Sequence, residues 1–135
     1  MSATGVVHVL ASCGAALCAL VVALRPEHER EAIARRAAGL CALIAMGAAL
    51  WGQRAFEAGR LRAVYSYSRS AGALLERHAH FGFASLCFAA ALALTSEARS
   101  LKARRTLAAL CVAFAALALC CDALVHAKAP SAALD

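Results

Sequence analysis

The sequence predicts an all-α integral membrane protein, an up-down-up-down four-helix bundle, and three observations point there. The chain of 135 residues is 63% hydrophobic and only 16% charged, with a mean hydropathy of +0.69. Soluble domains run near a quarter charged, and a domain this small still leaves roughly a third of its chain surface facing solvent. One aqueous core cannot hide so many apolar residues. The charges are also gathered into short blocks that separate four apolar runs. Those runs lack strand alternation, and their alanine and leucine favour helix over a β-barrel.

Residues 4–24 carry no charge and meet the length of about 20 residues that a membrane-crossing helix needs. Residues 37–53 make a shorter second span, with Trp51 near its end as an interfacial anchor. The third span covers residues 78–96, and the fourth covers 106–127 once Asp122 is accommodated. Two charged connections suit antiparallel neighbours: Arg25 to Arg36, where Pro26 stops the first helix, and Glu97 to Arg105. Between spans two and three, Arg54 to Arg77 reads as a long functional loop. The other reading is a helix lying on the membrane surface, because Leu61, Val64, Leu74 and Leu75 interrupt the charges. All four spans form one domain. Leu10-Ala11-Ser12-Cys13 spells a lipoprotein cleavage box, but no Lys or Arg precedes it, and chance explains it.

The formal charge of +6 would ordinarily suggest nucleic acid or anionic lipid. Here the basic residues flank spans, so the lipid bilayer is the expected partner and nucleic acid is not. Arg25, Arg30, Arg35, Arg36, Arg99, Lys102, Arg104 and Arg105 outweigh the basic residues of the opposite side. The positive-inside rule then places both termini outside.

His28 sits among charges in the first connection and reads as a solvated surface residue. The other histidines, His8, His78, His80 and His126, border spans and fall on one side of an alternating bundle. Ionisable residues inside spans are functional candidates by default, although four unrelated interfacial histidines would also fit. Spans one and three lie diagonally across a square bundle, roughly 12–14 Å apart if neighbouring axes are about 8–10 Å apart. That gap suits haem b held by imidazoles on both faces, with His8 as one axial ligand and His80, or else His78, as the other. His78 and His80 point about 200° apart on an unbroken helix, so only one can serve. Small residues (Gly5, Ser12, Gly14, Gly82, Ala84 and Ser85) would admit the ring. Arg60, Arg62, Arg69 and Arg77 would pair with its propionates or with quinone-side groups.

The seven cysteines all lie in apolar spans and include no C-x-x-C pair, so no disulfide framework is readable. Cys120, Cys121 and Asp122 lie near His126 and, with His8 and His80, form an alternative copper or zinc ligand set. Adjacent cysteines diverge by about 100° on a helix, which makes them a poor chelate. Asp122, the lone acid within the spans, is a candidate to orient an imidazole. Spans without deep acids argue against a proton-coupled exporter. No phosphate loop or hydrolytic constellation supports an enzyme beyond an electron-transfer component.

The histidine near the head of span one, Arg77-His78-Ala79-His80-Phe81-Gly82 at the head of span three and Asp122-Ala123-Leu124-Val125-His126 closing span four carry a resemblance. The layout resembles a family of small bacterial four-helix membrane proteins catalogued as a domain of unknown function, which includes candidate haem binders. Here Val7-His8-Val9 lacks the family's flanking prolines, and Cys120-Cys121 stand where its paired glycines would be. The resemblance implies a bacterial inner-membrane protein that holds haem. Two function classes follow. One is a small b-type cytochrome or electron-transfer subunit working with a quinone or another redox partner. The other is a cofactor-free accessory subunit of a larger membrane complex, docked through Gly39, Gly47 and Gly52 of span two.

Overall fold

The computed structural model describes residues 3–24, 28–95 and 100–128. Among these only Ser68, Leu94, Thr95 and Ser100 are not helical, and no strand occurs. The protein is all-α. Its helices are α1 (Ala3–Leu24), α2 (His28–Ala48), α3 (Arg54–Tyr67), α4 (Arg69–Ala93) and α5 (Leu101–Lys128), and a π-helical segment, Ala49–Gln53, joins α2 to α3.

Three segments are long and apolar enough to cross a membrane: Ala3–Leu24, Arg30–Trp51 and Leu101–Lys128. The third expected span, residues 78–96, corresponds to the later part of α4, which begins earlier, at Arg69, carries Arg69, Glu76 and Arg77 before the apolar stretch, and stops at Ala93 with Leu94 as its cap. The second span also begins earlier than its charges suggested. α2 starts at His28, so Glu31 and Arg35 belong to a helix rather than to a connecting turn.

Helices pack here by putting small residues inside and leucine outside. On α1, Ala11, Ala15 and Ala19 are buried at four-residue spacing; α2 buries Ala34, Ala38, Ala42 and Ala45. Their partners include Leu86, Ala89 and Leu92 of α4 and Ala108 and Cys111 of α5. Meanwhile Leu10, Leu17, Leu24, Leu40 and Leu43 are all more than 60% exposed. Water would drive leucine inward, whereas in lipid, association rests on close approach across small residues. The main interfaces join α4 with α5, α1 with α2, α2 with α4 and α1 with α5. Phe114 of α5 stacks on Phe88 of α4, with centroids 5.4 Å apart, and meets Phe81 at 5.9 Å.

The stretch expected as a middle loop is helical. α3 ends where Ser68 adopts an extended conformation (φ −152°, ψ 120°) and accepts a hydrogen bond from Ala71 N–H as the N-cap of α4. That break lets α3 turn back onto α4, and Gly72 lets the Tyr65 ring lie directly against the α4 backbone: a Cβ there would come within 2.5 Å of it. Val64, Ala71, Leu75 and Val125 form a second small core in which the end of α5 joins the pair. At 28 residues α5 is about 42 Å long at 1.5 Å per residue, more than the roughly 30 Å of hydrocarbon in a bilayer. Its surplus length is what reaches this second core.

Candidate functional site

Antiparallel pairing fixes which ends meet. His8 of α1 lies beside Ala45 of α2, and His78 of α4 lies beside Ala118 of α5. The histidines expected at one end are therefore together at one end. A cavity of about 360 Å³ opens there between α1, α2 and α4. His8 and Ser12 line it from α1, Met46 and Leu50 from the α2 end, and His78, His80, Gly82 and Phe83 from α4. A Cβ built on Gly82 would meet nothing within 4 Å, as expected for a glycine facing open space. Ala49 and Leu50, which begin the π-helical segment, also line this cavity, and π segments in helices frequently occur at functional sites.

The imidazoles share one hydrogen-bonding pattern. Nδ1 of His8 donates to the Ala45 carbonyl at 2.9 Å, Nδ1 of His78 to the Ala118 carbonyl at 2.9 Å, and Nδ1 of His80 to the Glu76 carbonyl at 2.7 Å. A carbonyl only accepts, so in each ring the proton sits on Nδ1. In the neutral ring Nε2 then keeps its lone pair. A carbonyl holding the far nitrogen is also the usual arrangement behind a metal-ligating histidine, because it fixes tautomer and ring orientation. His8 and His78 are half-buried and tied to neighbouring helices, whereas His80 is exposed and tied within its own helix. The better-held pair is thus His8 with His78, reversing the order in which the α4 histidines ranked from depth alone.

None of the four arginines expected near this site lines the first cavity, and the nearest to it is Arg60. It lines a second cavity, of about 350 Å³, between α3 and α4, which shares His78, Ala79 and His80 with the first. Arg62, Arg69 and Arg77 are exposed, and Arg62 Nε donates to the Ala58 carbonyl on its own helix. Asp122 does not orient the cavity histidines. It stands 3.6 Å from Arg60 and 3.5 Å from His126, linking α3 to α5. Ser85 is also spoken for, donating to the Cys111 carbonyl at 2.8 Å. Gly14 packs on Cys41 instead of the cavity.

The copper or zinc set does not converge. Among the described residues no group of three His, Cys, Asp or Glu side chains is placed to hold a metal ion. Cys121 is buried while Cys120 is exposed, as the angle between neighbours on a helix requires. Gly39, expected on an outward docking face, is instead buried against Ala93 of α4. Pro26 and the side chains of His28 and Arg54 lie outside the described residues, and Gly52 falls in the π-helical segment.

Three features were missed in the sequence. Met46 lines the first cavity and Glu76 the second. The largest omission lies at the opposite end of the helices. There the Glu31 carboxylate is 2.5 Å from Arg104 Nε and 3.7 Å from Arg35 Nε, with all three side chains at most 8% exposed. Arg35 also donates to the Thr95 carbonyl and, at 3.1 Å, to its hydroxyl. This cluster ties the start of α2, the end of α4 and the start of α5 together. A signal was present, since Glu31 and Arg35 have the i,i+4 spacing of a helical ion pair. Near the other end, desolvation and then a hydrogen bond to Glu76 push the Tyr65 phenol above its ordinary range. Set against known proteins, the chain matches no family model, no curated protein and no solved structure.

Proposed function

We propose that the chain is an up-down-up-down four-helix bundle in a bacterial inner membrane, a small b-type cytochrome-like carrier holding haem b between His8 and His78. The supporting observation is the shared cavity wall: imidazoles from α1 and α4, each with Nδ1–H committed to a carbonyl, lie around one space beside Ser12, Gly82 and Met46. Bound there, haem would supply one-electron iron chemistry. The chain's part is to present two Nε2 lone pairs and to exclude water with Phe83, Leu86 and Met46. Arg60 is the arginine placed to meet a carboxylate beyond the shared wall. The basic residues Arg30, Arg36, Lys102 and Arg105, with the ion cluster, mark the inner face under the positive-inside rule, leaving both termini outside.

A cofactor-free accessory subunit is the second reading. It is favoured by Gly47, which is exposed on α2 and has nothing within 4 Å of where a side chain would start. Haemin titration of the detergent-solubilised protein separates the two. Saturation at one haemin per chain with a sharp Soret shift is expected, weakened at least a hundredfold in His8→Ala and in His78→Ala. Featureless, non-saturating uptake equal in all three proteins would overturn the haem reading and is what the accessory-subunit reading expects.

A further inference from the structure

α3 is attached lightly to the other helices, and we infer that it is a hinged strap that opens and closes one approach to His78. Both of its ends interrupt the run of α-helix from α2 to α4: the π-helical turn of residues 49–53 on one side and the extended Ser68 on the other. Junctions of this kind absorb the backbone change when an element swings. Among the described side chains of α3 only Val64 is buried, while Ala58, Arg62, Ala63 and Ser66 are exposed. An element with so few buried apolar contacts opens locally at a smaller cost than the core of a fold. Three attachments hold it down. Val64 packs with Ala71, Leu75 and Val125. Arg60 pairs with Asp122 at 3.6 Å, at side chains 21% and 30% exposed, within reach of water, and Asp122 shares its charge with His126. The Tyr65 ring rests on Gly72, and its hydroxyl donates to the Glu76 carboxylate.

The second cavity is the space beneath this strap. Ala58, Arg60 and Leu61 wall it from α3, and Leu75, Glu76, His78, Ala79 and His80 wall it from α4. His78 lines the first cavity as well, so this imidazole stands between the two spaces. Its Nδ1 is committed to the Ala118 carbonyl, which leaves Nε2 as the reactive nitrogen. With α3 docked, the approach from that side is closed by α3's own residues. With α3 lifted, that wall is gone and His78 is reached from the α3 side too. His8 lines the first cavity and not the second, so lifting α3 leaves its approach as it was. The strap does not rest on the haem reading, because it governs access to an imidazole whether or not iron is bound.

Diethyl pyrocarbonate, which acylates the free nitrogen of a neutral imidazole, reads this access in the full-length protein in detergent, with each histidine followed by peptide mass spectrometry. His78 should react at least threefold more slowly than exposed His80. Arg60→Glu, which sets a carboxylate against Asp122 and Glu76, should raise the His78 rate at least threefold and leave His8 within about twofold. Adding Asp122→Arg to Arg60→Glu rebuilds the pair with its signs reversed and should return His78 to the slow rate. Val64→Ala thins the apolar attachment without touching a charge. It should raise the His78 rate as Arg60→Glu does, and it decides the question if the charge variant does not fold. A His78 rate unmoved by both substitutions would overturn the strap. So would a reversed pair that fails to restore the slow rate, or His8 and His78 rising together, which is general loosening of the bundle. No haem is added, so haemin titration of the unaltered protein succeeds or fails independently of these rates.

Discussion

Replacing Glu31 by Ala is expected to cost about 3–5 kcal/mol of stability, the range for breaking a buried ion pair from one side. The carboxylate is 3% exposed and lies between two guanidinium groups that are each 8% exposed. Taking it away leaves Arg35 and Arg104 beside each other where water does not reach them. The loss should be read by denaturant unfolding in detergent micelles. Removing all three charges at once is a different experiment: exchanging Glu31, Arg35 and Arg104 together for leucine or methionine should cost less than Glu31→Ala alone, because neither guanidinium is left facing the missing carboxylate. A loss under 1 kcal/mol for Glu31→Ala alone would show that the cluster does not hold the helix ends together.

Gly39→Leu is expected to be the second most damaging change, at about 2–3 kcal/mol for forcing extra atoms into a packed interface. A Cβ at Gly39 would fall on the Cβ of Ala93, so α2 and α4 approach there as closely as their backbones permit. The effect should spread. Arg35 lies one turn before Gly39, and its partner Thr95 lies just past Ala93, so pushing α4 away also draws Thr95 from Arg35. Gly47→Leu on the same helix is the control, since open space surrounds it, and an exposed substitution of that kind should stay within about 0.5 kcal/mol. The same unfolding measurement compares them, and equal losses at positions 39 and 47 would contradict this packing.

The helices and their order were legible because charge and hydropathy change in blocks, and a block needs no knowledge of its neighbours. The same logic misplaced the start of α2. Hydropathy treats every charge as solvated, whereas Glu31 and Arg35 are buried because a third charge, Arg104, comes from a helix far along the chain. The sequence of α3 suits either a loop or a surface helix because its apolar residues are sparse; only the fold shows Val64 meeting Ala71, Leu75 and Val125. Alternation along the chain sufficed to gather His8, His78 and His80 at one end. Which of them is firmly held depends on helix rotation, set by alanine stripes whose partners no single run reveals. Met46 and Glu76 escaped notice for a related reason: a lone methionine or glutamate becomes informative only when a cavity opens beside it.

The claim that imidazoles from α1 and α4 converge on one cofactor is tested most directly by electron paramagnetic resonance of the ferric protein purified from cells supplied with a haem precursor. The expected result is a low-spin signal of iron between two imidazoles, converted to high spin or lost in His8→Ala and in His78→Ala. A protein that stays colourless, or a low-spin signal that survives both substitutions, would contradict it.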